Sequence, residues 1–144
     1  MIFVDTDVLA IHHIFTWDKR REANEKAVAY LKARGAATTI HNLLELCGLY
    51  GAANMGDKVE AVIERYLSGV EFEVKFPPVI EDWGRYVETM AEYVRRGLSY
   101  SDALIAFSVE AAGGELFITW NKRHFDGRLR ARVLTPVEYL GEHR

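Results

Sequence analysis

Asp5 and Asp7 stand directly after an apolar run, Ile2-Phe3-Val4, and the apolar pattern resumes at once with Val8-Leu9-Ala10. A carboxylate beside a buried strand needs water, hydrogen-bond donors or a cation, because an unpaired charge in apolar surroundings is strongly disfavoured. Three other places repeat the pattern. Glu45 lies among Leu43, Leu44, Leu46 and Cys47, Asp102 opens the stretch "ALIAFSV", and Thr119 and Asn121 follow "LFI". Gathered in one pocket, Asp5, Glu45 and Asp102 would repel one another by roughly 3 kcal/mol per pair at about 5 Å and an effective dielectric of about 20. A divalent cation removes that penalty, and an all-oxygen donor set selects Mg²⁺ or Mn²⁺ over zinc.

Each residue also has a plainer reading. A Glu on an amphipathic helix is ordinarily solvated. Ser99 and Asp102 have the spacing of a capping box, and the helix dipole favours an acid in a first turn. Capping and metal binding are compatible roles for Asp102. Asn121 and the Asp126-Gly127 pair are common turn residues, and His124 alone is more often structural than a ligand. His12 and His13 have no metal-ligand spacing to a second site and are left unassigned.

The elements that must position these residues can be read from periodicity. Residues 2–4 form a continuous apolar run, as expected of a strand covered on both faces. Helices are expected from Asp7 to about Phe15 and from about Asp18 to Arg34, the second with Ala23, Ala27 and Leu31 inward and Gly35 as its stop. Ala36 to Ile40 reads as a second strand, followed by a helix in which the leucines pack inward while Glu45 shares a polar face with His41 and Asn42. Another helix spans Asp57 to Ser68. In "VEFEVKF", Val70, Phe72, Val74 and Phe76 alternate with charged residues, the period of a half-exposed edge strand.

After Pro77-Pro78 a helix with Ile80, Trp83, Val87, Met90 and Val94 as its stripe is expected. A further helix covers about Tyr100 to Ala112. Leu116 to Trp120 and Arg132 to Thr135 are strands, and Pro136 begins a terminal helix. Strands alternating with helices imply a mostly parallel sheet with helices on both faces. Ligands of such sheets bind at the carboxyl ends of the strands, where strand order reverses, and Asp5 stands at that edge.

The 144 residues, 49% of them hydrophobic, suit one domain over 1–144. Without an apolar run of ~20 residues, a leader-like start or a second cysteine beside Cys47, the expectation is a cytoplasmic protein. The formal net charge of −3 argues against binding nucleic acid by bulk electrostatics alone. Arg95, Arg96, Lys122, Arg123, Arg128, Arg130 and Arg132 either grip flanking phosphates or form a solvated basic face.

"FVDTDVL", "NLLELCGL", "LSYSDALIAFSVEAAGGELFITWNKRHF" and "VLTPVEYL" together resemble the PIN-domain family, specifically the small VapC-type toxin ribonucleases, over nearly the whole chain. The resemblance implies a three-layer α/β/α sandwich around a five-stranded, mostly parallel sheet. It further implies Mg²⁺- or Mn²⁺-dependent cleavage of single-stranded RNA, a homodimer, and a VapB-like antitoxin whose tail covers the site. Asp5, Glu45 and Asp102 match the family's core acids and are its implied metal ligands. Asn121 completes the implied catalytic set, standing where many members carry a fourth acid, which puts a second tightly held metal in doubt. Asp126 is a candidate substitute for that acid. Asp7 stands where Asn is common, and either assists the site or caps the first helix.

Two rival classes remain. One is a catalytically weak or inactive PIN-like module that binds RNA or acts as a scaffold. The other is an aspartyl-phosphate phosphatase of the haloacid-dehalogenase type, which "DTD" imitates but whose closing acidic pair is missing here.

Overall fold

The structure, a computed structural model, describes residues 1–143. Five short strands, β1 (Ile2–Val4), β2 (Ala37–Thr39), β3 (Glu73–Lys75), β4 (Leu116–Ile118) and β5 (Arg132–Leu134), form one parallel sheet in the order β3-β2-β1-β4-β5. Consecutive strand residues point to opposite faces, so the sheet feeds two cores. Val4, Ile118 and Leu134 pack against α1 (Thr6–His13), α2 (Arg21–Ala33), α3 (Ile40–Ala52), α4 (Val59–Leu67) and α8 (Pro136–Glu142). Phe3, Phe117 and Val133 pack on the other side against α5 (Trp83–Arg95), α6 (Tyr100–Ala111) and α7 (Lys122–Phe125). This is the three-layer α/β/α arrangement expected from the sequence. Among the described residues, no helix is long and apolar enough to cross a membrane.

Strand order reverses between β1 and β4: the chain leaves β1 for β2 on one side and returns to β4 on the other. A crevice at that switch point is the general consequence. β1 and β4 can lie so close to the α6 turn because residue 114 is glycine. A Cβ there would sit 2.6 Å from Val109 Cγ1 and 3.0 Å from Phe3 Cδ2. Gly35, with φ +69°, turns the chain out of α2 in the left-handed region that only glycine enters freely.

Several expected faces differ. β3 is the edge strand anticipated, yet the alternation around it fails: Val70 and Phe76 are exposed while Glu71 is buried. In α5 only Met90 of the expected stripe is buried, and Trp83, Val87 and Val94 face outward. Leu43 and Leu46 pack inward from α3 but Leu44 does not. The inward residues of α2 are Asn24, Ala27, Val28 and Leu31, with Ala23 only half-buried. Of the aromatics, Trp17 is exposed and Tyr50 is buried.

Candidate functional site

Asp5 follows β1 at the switch point and is the N-cap of α1. Its Oδ1 accepts from Thr6 N at 2.8 Å and Asn42 Nδ2 at 3.0 Å, and its Oδ2 accepts from Thr119 Oγ1 at 2.7 Å. Asn42 is itself fixed: its Oδ1 accepts from Thr39 Oγ1 at 2.7 Å in the capping box that starts α3. Thus β1, the start of α3 and the end of β4 all converge on one carboxylate.

Asp7, in the first turn of α1, is clamped from the β4 side. Its Oδ2 accepts from Thr119 Oγ1 at 3.2 Å, Trp120 N at 3.0 Å and Asn121 N at 3.1 Å. The Trp120 indole is held in turn by the buried Asn24, whose Oδ1 accepts from Trp120 Nε1 at 2.7 Å while its Nδ2 donates to Val8 O at 3.0 Å. Asp102 lies in the first turn of α6, with its backbone N–H donating to the capping hydroxyl of Ser99 at 3.2 Å. Glu45 projects from the middle of α3.

These side chains enclose a cavity of about 210 Å³ lined by Asp5, Thr6, Asp7, Glu45, Asp102 and Asn121, with Leu49, His124 and Phe125 closing it. All four residues expected to form the site, Asp5, Glu45, Asp102 and Asn121, therefore meet. Asp126 is exposed and does not line the cavity. Larger hollows exist, two of them of about 490 Å³, one around Glu71 and Phe72 and one between Ser101 and Arg128, but none of them takes in Asp5, Asp7 or Glu45.

The electrostatics are those of an uncompensated acidic centre. Among the described residues, no lysine or arginine forms an ion pair with these acids; the nearest basic group is His124 Nδ1, 3.8 Å from Asp102 Oδ2. Neighbouring cations are engaged elsewhere: Arg20 with Asp18, Lys122 with Glu138, Arg132 with Glu142 and Arg96 with Glu110. Burial, with the adjacent Asp7 charge, holds Asp5 well above the usual carboxylate range despite its three hydrogen bonds. Burial likewise raises Asp7 to about 6 and pushes Glu45 and Asp102 upward. Convergent oxygen donors without a positive partner fit a hard divalent ion such as Mg²⁺ or Mn²⁺.

Among the described residues, the one group of three possible ligands whose atoms all lie within 4.8 Å of one another is elsewhere, at His12, His13 and Glu71; the acids of the cavity are spaced more widely. The coordination positions of that group are already taken. Glu71 accepts from Lys32 Nζ at 2.5 Å and Arg65 Nη2 at 2.6 Å, His12 Nδ1 meets Glu25 Oε2 at 2.6 Å, and His13 Nε2 meets Tyr66 Oη at 2.7 Å. The cluster is an ion-pair network, and the two histidines left unassigned by spacing serve it.

Sequence reasoning missed Asn42 and Asn24 as supports. The Thr39-x-x-Asn42 spacing carried the signal for the first, since a polar group three residues after a Thr cap closes a capping box. The Thr119 hydroxyl holds two of the site's carboxylates, Asp5 and Asp7.

No protein-family profile matches the sequence, and no curated protein matches it either. Solved structures do. The VapBC2 complex from Rickettsia felis, bound to a DNA fragment from its promoter, superposes with a TM-score of 0.65 at 18% identity over 94% of this chain and 98% of the other. A toxin-antitoxin complex from Klebsiella pneumoniae gives 0.60 at 17% identity over 94% and 98%. FitAcB from Neisseria gonorrhoeae gives 0.59 at 17% identity over 95% and 99%. The chain has the PIN-like fold. Within that fold the acidic cavity occupies the carboxyl edge of β1 and β4, the place the architecture leaves open for a ligand.

Proposed function

We propose that the chain is a VapC-type toxin, an endoribonuclease that hydrolyses single-stranded RNA with Mg²⁺ or Mn²⁺. The observation that carries this reading is the meeting of Asp5, Glu45 and Asp102 around one cavity from which lysine and arginine are absent as ion-pair partners. Asp5, Asp102 and Glu45 would hold the cation. When bound, it supplies a lowered pKa for water and positive charge for the phosphoryl oxygens in the transition state.

The residues of the chain supply the rest. Asn42, Thr6 and Thr119 fix the Asp5 carboxylate so that no reorganisation is needed when substrate arrives. Glu45, half-buried and raised by burial, is placed to orient water and take its proton. Asn121, exposed at the mouth, offers an amide to the phosphate. Arg128, beside His124 and Ser101 in the adjoining hollow, would meet the next phosphate along the strand.

A VapB-like antitoxin and a homodimer belong to the same proposal. Supporting a protein-covered surface, Trp83 is 78% exposed and Val87 61% on one face of α5. Unpartnered apolar faces of this kind mark interaction sites.

The test is cleavage of single-stranded RNA with Mn²⁺ by Asp102→Asn and Glu45→Gln, neither of which shares the hydrogen bonds that anchor Asp5. The expected loss is on the order of 10²-fold or more, with folding unchanged by circular dichroism. Cleavage at the wild-type rate in both variants rejects the proposal.

A further inference from the structure

Asp7 does more at the site than cap a helix. The N-cap of α1 is Asp5, which accepts the Thr6 amide, so Asp7 is spare for that task. Its two oxygens are used very unequally. Oδ2 takes three donors, Thr119 Oγ1, Trp120 N and Asn121 N, whereas Oδ1 is buried and accepts no hydrogen bond. The Val8 amide favours the charge without forming a bond to that oxygen. A buried carboxylate oxygen with empty lone pairs is rare in folded proteins and costs roughly 1–3 kcal/mol.

The clamp also fixes where Oδ1 can go. With Oδ2 pinned to the β4 turn, the carboxylate cannot rotate to bring a donor to its other oxygen. Thr119 has one hydroxyl proton for two carboxylates, at 2.7 Å from Asp5 and 3.2 Å from Asp7. The two acids therefore sit side by side sharing that one hydroxyl proton, and both line the acidic cavity.

We infer that Asp7 is a fourth metal-binding acid of this centre, its unpartnered Oδ1 serving as a ligand oxygen for the divalent cation next to Asp5. The inference rests on the proposed cation centre and names a residue added to it. Asp7→Asn keeps an oxygen for the three donors but presents an amide nitrogen where Oδ1 stood.

The experiment is calorimetric titration of the full chain with Mn²⁺, for wild type and Asp7→Asn, with thermal melting of both in chelator. The expected result is a Kd for Mn²⁺ at least ~10-fold weaker in the variant, with a metal-free melting temperature equal to or above that of wild type. Equal Kd values overturn the role of Asp7 alone. Absence of Mn²⁺ binding by wild type overturns the cation centre itself, and this inference with it. Should Asp7→Asn fail to fold, the Asp7 side-chain carboxyl ¹³C resonance of wild type reads the same contact. A shift on adding Mg²⁺ supports the assignment, and an unmoved resonance overturns it.

Discussion

Two buried carboxylate clusters in this molecule are built on opposite rules. At Glu71 the acid is given cations: Lys32 and Arg65 each donate to one of its oxygens, and burial is outweighed so that its pKa falls to about 2. At the switch point the acids are given only neutral donors, and burial raises every one of them. A folded protein that simply needed to accommodate buried acids has, at Glu71, a working solution. Its absence at Asp5, Asp7, Glu45 and Asp102 is what supports the proposal that a bound cation supplies the positive charge there.

The contrast can be broken by experiment. The largest effect is expected at Glu71, because Glu71→Gln leaves Lys32 and Arg65 without their shared anion. Unfolding in urea should show a loss of about 2–3 kcal/mol, the worth of hydrogen bonds to a charged group. An unchanged midpoint would mean that this cluster contributes nothing to stability. A smaller effect of opposite sign is expected at the switch point. Asp5→Asn removes one like charge while keeping an acceptor for Thr6 N, so the metal-free protein should gain about 1 kcal/mol in the same assay. A large loss there would show the centre to be structural.

The smallest effect is a pH dependence. Asp7, raised to about 6, keeps its proton longer in the folded state than in the unfolded state. Its contribution therefore favours folding at low pH and is lost as pH rises through about 6. His13, lowered to about 4 by burial, acts with the opposite sign between about 4 and 6.5. The two partly cancel in a simple pH scan. A difference measurement separates them: the rise in melting temperature produced by saturating Mg²⁺ should grow from pH 4 to pH 7. A gain independent of pH would contradict cation binding by raised acids.

The same contrast explains what the sequence made legible. The strands at residues 2–4 and 116–118 and the three acids at their edge follow from local apolar runs, whose length and placement depend on near neighbours. Glu71 was invisible because its burial depends on Lys32, which lies 39 positions away, and on Arg65. Period-two alternation assigned it to solvent, and tertiary ion pairing overrode the pattern. Asn24 and Asn42 were hidden likewise, since a polar residue becomes a core residue only when distant partners satisfy it. The stripe of α5 was legible as apolar, but periodicity cannot distinguish a face packed on its own chain from one left for another molecule.

The hydrogen bond from Thr119 to Asp5 spans 114 positions of chain. During synthesis on a ribosome, Asp5, Asp7 and Glu45 are all in place long before the strand that carries Thr119 has been translated. The anchoring of Asp5 and Asp7 by the Thr119 hydroxyl therefore waits for β4, however early the rest of the site is made.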